Sequence, residues 1–358
     1  MVTREWPLVP IYGAALYFFI FDTGQLANPW WAGFVLLLLF SVMMLSAFAV
    51  VRHAECLAEI FGEPYGTLIL TFAITGIEVM MIAAVMLTGP EVSTTARDTM
   101  FAVIMIVFNG MAGLSLLMGG LRYQEQTYNL QGANAFLAVI IPLAVLGLVL
   151  PNFTSAPGGT LSPLHEGFLI LMSVALYAVF LAIQTLRHRH FFLEHDEVEQ
   201  QAAPITDLRP AAWHGALLIV YIVPIVLLSK KIAVPIEYSV RVLGALEALV
   251  GFLVAVLIMS PESLTSLRAT LANQMQRSIN LLLGSVLASI SLTIPAVLAI
   301  GLFTDRLVVL GLEPVDMLLL LLSLASAILT FSSGRTNILQ GAIHLLLFAA
   351  YIILIFER

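Results

Sequence analysis

Charge is scarce in this chain. Its 358 residues include 15 basic and 22 acidic side chains, 10% in all, against about 25% in an ordinary soluble domain. A soluble globular fold is therefore excluded. The single cysteine, Cys56, leaves neither an intramolecular disulfide nor a zinc site built on thiolates. The formal net charge of −7 is thinly spread and offers no basic patch, so nucleic acid is not an expected partner. No Gly-rich phosphate loop, HExxH or GxSxG string occurs, which removes the positive case for an ATPase, a zincin or a serine hydrolase. No nucleophile or metal triad is visible either, and the chain is not expected to be an enzyme. The apolar stretch from Val9 to Ile20 lacks a following small-residue cleavage site. It reads as a retained first helix and not as a signal peptide.

What the chain has in abundance is apolar residues, 60% of the total, enough for about ten or eleven bilayer spans of about 20 residues. The alternating polarity of a porin-like barrel is missing. Apolar runs fall at 8–22, 30–51, 66–88, 98–119, 133–151, 162–186, 211–229, 243–268, 278–303, 315–331 and 338–356. The expected fold is an all-α polytopic membrane protein with about eleven transmembrane helices in the lipid bilayer. The only long polar stretch, Arg187 to Pro210, reads as a cytoplasmic linker. With the N-terminus cytoplasmic, nine of the fifteen Lys and Arg lie inside, a weak positive-inside bias. The organisation expected is an N-terminal helix and loop (1–29), a five-helix repeat (30–186), the linker (187–210) and a second five-helix repeat (211–358). An odd-numbered unit repeated in tandem inserts upside down the second time, which makes the repeats inverted, with the binding site at their midplane.

Each half carries one carboxylate deep in an apolar run, Glu78 and Glu262. An ionised side chain there costs about 2.5 to 3.5 kcal/mol on insertion scales, and such residues mark ion pathways. Thr75 and Thr71 precede Glu78 by three and seven residues and share its helical face. Glu262 follows Ser260 and Pro261, and the proline deprives the Leu257 carbonyl of its helical partner. On the next run Ser285, Ser289 and Thr293 recur every four residues, a hydroxyl stripe that serves ligation and close helix packing equally well. Carboxylates, hydroxyls and freed carbonyls make the oxygen shell of a hard cation such as calcium, with no imidazole or thiolate nearby for a transition metal. The same carboxylates can hold protons instead, so proton and cation compete. His188, His190 and His195, with Glu194, Asp196, Glu197 and Glu199, form a linker cluster that either binds a regulatory cation or is simply solvated. His344 and His214 read as interhelical hydrogen-bonding groups before proton relays.

The stretch Leu57, Gly62, Gly66, Leu68 to Glu78 resembles the first signature of the calcium/proton exchangers, the CAX branch of the cation/calcium exchanger superfamily. Glu262 takes the place of the matching acid in the second half, followed by Asn273, Met275, the pair Gly284-Ser285 and Pro295. Ser333 to Gly341 resembles the last signature. Arg52-His53-Ala54, the string GEPYG at 62–66, Ser260-Pro261-Glu262 and Gly334-Arg335-Thr336-Asn337 look like the bacterial ChaA-type subgroup. Departures occur where many exchangers have Gly-Asn before each acid: here stand Ile74-Thr75 and Ile258-Met259, with Ala288 for the glutamine after the Gly-Ser pair and Ser263 for the histidine after the second acid.

The resemblance implies a bacterial inner-membrane antiporter that exports calcium, with sodium and potassium as further cargo, in exchange for protons. No cofactor is expected. Glu78 and Glu262 are the expected ion-binding and proton-coupling residues, with Thr75, Ser285, Ser289 and, more weakly, Asn109 as further ligands. A sodium/calcium exchanger would need more oxygen ligands around the acids. A channel would need a filter or a symmetric pore, whereas one acid per half favours alternating access.

Overall fold

A computed structural model describes residues 5–20, 28–62, 65–88, 92–192, 209–243 and 247–357. In chain order the helices are α1 Leu8–Ile20, α2 Pro29–Phe61, α3 Tyr65–Thr88, α4 Thr95–Ile104, α5 Ala112–Tyr123, α6 Leu130–Ala144 and α7 Pro163–Ala182. There follow α8 Ala211–Leu243, α9 Glu247–Leu271, α10 Met275–Ala288, α11 Ile294–Thr304, α12 Pro314–Phe331 and α13 Ile338–Glu357. A π-helical segment, Met105–Met111, joins α4 to α5, and another, Ser289–Thr293, joins α10 to α11. Each such pair is therefore one continuous apolar rod. Among the described residues ten helical segments are long and apolar enough to cross a membrane. The eleventh run is α1, whose 13 residues reach only about 20 Å, short of a hydrocarbon core of about 30 Å.

The chain forms two compact units, one from Met1–Glu91 with Pro204–Pro261 and the other from Val92–Ala203 with Glu262–Arg358. Both draw on both halves of the sequence, and the boundary falls within α9, between Pro261 and Glu262.

In the first unit α2 and α8 run antiparallel: Ser46 Oγ donates to the Tyr221 carbonyl at 2.7 Å, and His53 meets His214 at 3.0 Å. The α2 N-terminus is capped by Asn28, whose side chain accepts from the Trp30 amide at 2.9 Å, with Pro29 in the first turn, a position where the missing N–H costs nothing. It ends at Gly62, at φ 63°, a conformation open mainly to glycine. α3 then starts so close to α2 that a Cβ on Gly66 would stand 2.7 Å from the Ala58 carbonyl oxygen. These two glycines give the GEPYG string a structural reason; Glu63 and Pro64 between them lie outside the described residues.

In the second unit α5 and its π segment pack against α13 through glycines. A Cβ on Gly341 would lie 2.5 Å from the Leu117 nitrogen, one on Gly113 3.0 Å from the His344 Cβ, and one on Gly120 2.8 Å from Ile338. Between membrane helices, where lipid is as apolar as leucine, such backbone approach supplies the packing that holds them together. Two short connections tie the loops: β1 Val92–Ser93 pairs in parallel with β2 Leu307–Val308, and Thr127 bridges antiparallel to Arg335.

Candidate ion-binding site

In the first unit Glu78 lies near the middle of α3, only 1% exposed, and Thr75, one turn earlier, is 5% exposed. Three residues along a helix bring both side chains to one face, a carboxylate and a hydroxyl withdrawn from solvent together. Thr71 continues that face one turn on.

In the second unit the Glu262 carboxylate contacts the Ser285 hydroxyl, which joins α9 to α10. Ser285 Oγ also lies 2.9 Å from the Leu281 carbonyl. One hydroxyl hydrogen makes one strong bond. When Glu262 is ionised, Ser285 donates to it; when Glu262 is protonated, Glu262 donates to Ser285, and the serine turns its hydrogen to Leu281. The same heavy-atom positions thus suit both charge states. Just before this acid, the Ser260 hydroxyl donates to the Val256 carbonyl, and Pro261 lies inside α9.

Ser289 is buried one turn beyond Ser285, where the π segment begins. Spacing by four predicts one continuous face for Ser285, Ser289 and Thr293. All three are buried, and from Ser289 to Thr293 the chain runs as a π segment with bonds from i to i+5. The Ser291 and Thr293 hydroxyls are buried and have no hydrogen-bond partner among the described residues.

Asn109 occupies the other π segment, which packs on α10. Its amide nitrogen donates to Ser323 Oγ at 2.7 Å, and its amide oxygen lies 2.9 Å from His344 Nδ1. His344 Nε2 in turn meets Thr330 Oγ1 at 2.9 Å. Both ends of the Asn109 amide are engaged between helices, and His344 has a partner at each ring nitrogen. Within the linker, His188 stacks on Phe191 at 4.9 Å, while Glu194, His195, Asp196, Glu197 and Glu199 lie outside the described residues. Among the described residues no three His, Cys, Asp or Glu side chains gather as a metal cage would require.

A second polar cluster, in the first unit, is not foreshadowed by the sequence, since its two histidines are 161 residues apart. His53 Nδ1 and His214 Nδ1 lie 3.0 Å apart, and His53 Nε2 is 3.1 Å from Arg52 Nη2 and 3.5 Å from Glu5 Oε2. Glu5 also pairs with Arg52 at 2.7 Å and accepts from Tyr221 Oη at 2.8 Å. Burial by itself raises the Glu5 pKa, but the Tyr221 hydroxyl, Arg52 and His53 outweigh it and hold the carboxyl below its ordinary range.

A family model described as sodium/calcium exchanger protein matches residues 30–186 and 213–357. The chain is 42% identical over 316 residues to the sodium-potassium/proton antiporter ChaA of Escherichia coli, covering 87% of this chain and 86% of that one. It is 26% identical over 261 residues to a Ca2+/H+ antiporter of Aphanothece halophytica, covering 68% of each. The crystal structure of an H+/Ca2+ exchanger, CAX, superposes with a TM-score of 0.71 at 16% identity, covering 98% of this chain and 88% of that one; this likeness concerns the fold. With a family model spanning both halves of the molecule and a relative alike over nearly its whole length, the chain belongs to the sodium/calcium exchanger protein family.

Proposed function

We propose that this multi-pass membrane protein is a secondary antiporter that exports calcium, and also sodium and potassium, in exchange for entering protons. The observation that carries this reading is the Glu262–Ser285 pair, an acid whose hydroxyl partner accommodates it both charged and neutral. A transport cycle that swaps a cation for protons asks that of its ligands. Glu78, with Thr75 beside it, is the matching acid of the first unit, and Ser289 extends the hydroxyl surface. Asn109 acts through the His344–Ser323 network and holds its helix in place. The oxygen donors suit hard cations, and the name of the relative most alike of the two described, which carries sodium and potassium, supports monovalent ions among the cargo. The two five-helix halves are inverted repeats that expose the site alternately, in a bacterial inner membrane with the N-terminus cytoplasmic.

Purified protein in liposomes tests this. An imposed pH gradient should drive uptake of each cation and a protonophore should abolish it, and Glu78→Gln and Glu262→Gln should each reduce exchange to background. Cation flux that persists after the gradient collapses would identify a channel instead.

A further inference from the structure

The Glu5–Arg52–His53–His214 cluster has a polarity that its donors dictate. Arg52 is always a donor, so at 3.1 Å from Nη2 the Nε2 of a neutral His53 is an acceptor. The His53 proton then sits on Nδ1 and is donated to His214 Nδ1 at 3.0 Å. His214 must carry its own proton on Nε2. That nitrogen is buried and has no hydrogen-bond partner among the described residues, and the residue is fully enclosed. A satisfied structural histidine, such as His344 in the second unit, uses both nitrogens. His214 holds one buried N–H for which the described residues offer no acceptor, an arrangement that is destabilising unless the proton has somewhere to go.

The cluster runs from the surface inward. Glu5, in the N-terminal segment, has a side chain 12% exposed, and Arg209, ahead of α8, lies 3.9 Å from it. Tyr221 of α8 stacks on His53 at 5.7 Å, and from α1 the Tyr12 hydroxyl is turned away to the Val220 carbonyl. α3 packs against both α2 and α8 and brings Glu78 as its buried acid. His53 precedes Gly62 by nine residues and Glu78 follows Tyr65 by thirteen, so Glu78 lies about one helical turn deeper along the same hairpin.

We infer that His53 and His214 form a proton relay between the surface carboxylate Glu5 and the α2–α3–α8 interior that holds Glu78. The inference rests on the antiport reading above. A proton arriving from Glu5 forms an N–H at His53 Nε2, with Arg52 released onto Glu5. The His53 Nδ1–H bond breaks as the His214 Nδ1–H bond forms, and the His214 Nε2–H bond breaks as its proton leaves towards Glu78. One proton enters and one leaves, and each imidazole returns to its starting tautomer by gaining a proton on its bare nitrogen and then losing the one on the other, through a transient imidazolium.

The test uses the full chain in liposomes, with calcium exchange followed across pH for His53→Ala, His214→Ala and His214→Gln. Exchange should slow by about 100-fold at alkaline pH, the lower end of what a positioned proton-transfer group contributes. The rate should recover in acid, where protons are plentiful, and with imidazole added to the bath, while equilibrium calcium binding stays unchanged. Wild-type rates at every pH would overturn the relay. So would a loss equal at all pH and insensitive to imidazole, which marks a structural role, or a shift only in the activating pH, which marks a switch. If the variants fail to insert, the wild type answers by itself: exchange at alkaline pH should slow in D2O, and an absent isotope effect overturns the relay. Glu78→Gln separates the two ideas, because active Glu78→Gln sinks the antiport site, whereas inactive Glu78→Gln with unaffected histidine variants sinks the relay alone.

Discussion

The Glu262–Ser285 contact makes Ser285 the residue on which proton and cation bookkeeping meet. Removing its hydroxyl in Ser285→Ala deprives the carboxylate of a charge-assisted hydrogen bond worth about 1.5 to 3 kcal/mol. Apparent cation affinity should fall by about 10- to 100-fold with the maximal rate less affected, as read from exchange rates against calcium concentration at fixed pH. An unchanged affinity would detach Ser285 from the ion. Glu5 makes a different demand. Its carboxyl is held low in the folded protein, so its contribution is present above the unfolded pKa and is lost as pH falls through the folded value. Glu5→Gln should therefore melt below wild type at neutral pH, and the two melting curves should converge in acid; a difference that persists there would show that Glu5 acts by packing. Both acids of the candidate site were legible in the sequence because a charge in an apolar run is conspicuous. The Ser285 partnership was legible only as a stripe with two meanings, and the His53–His214 meeting was not legible at all, since no local pattern links positions 161 residues apart.

At the scale of helices, glycine sets how closely rods approach. Gly341→Ala places a methyl against the Leu117 backbone, 2.5 Å from its nitrogen, where no side chain can swing aside. Overpacking of this kind costs about 1 to 3 kcal/mol. A lowered melting temperature in detergent is expected, together with weakened exchange as the Asn109–His344 network on the same helix pair is pushed apart. A variant as stable as wild type would mean that α5 and α13 are not held by close backbone contact. The apolar runs marked the helices because hydrophobic length is what a bilayer selects. They did not mark the π segments at Met105–Met111 and Ser289–Thr293, since a widened turn has no side-chain signature in the surrounding apolar sequence.

For the whole molecule the sharpest question is charge balance. Two carboxylates release at most two protons for one calcium, an electroneutral swap, whereas a third proton would move one net charge per cycle and need another titrating group. His344, engaged at both nitrogens, is poorly placed to be that group. With the pH gradient held fixed, calcium exchange in liposomes should be insensitive to an imposed membrane potential, and rates that follow the potential would overturn the two-proton balance. The interleaving of the two units carries a consequence for biogenesis. The first unit needs Pro204–Pro261 and the second needs Glu262–Arg358, so when the ribosome has made the first half of the chain, neither unit can close. At about 5 to 20 residues per second, α2 and α3 wait in the bilayer for several seconds with the α8 face of α2 uncovered, His53 and Ser46 included. During that interval these polar side chains meet lipid, translocon or chaperone before they meet His214 and Tyr221, and the insertion machinery becomes a temporary stand-in for the missing half of the protein.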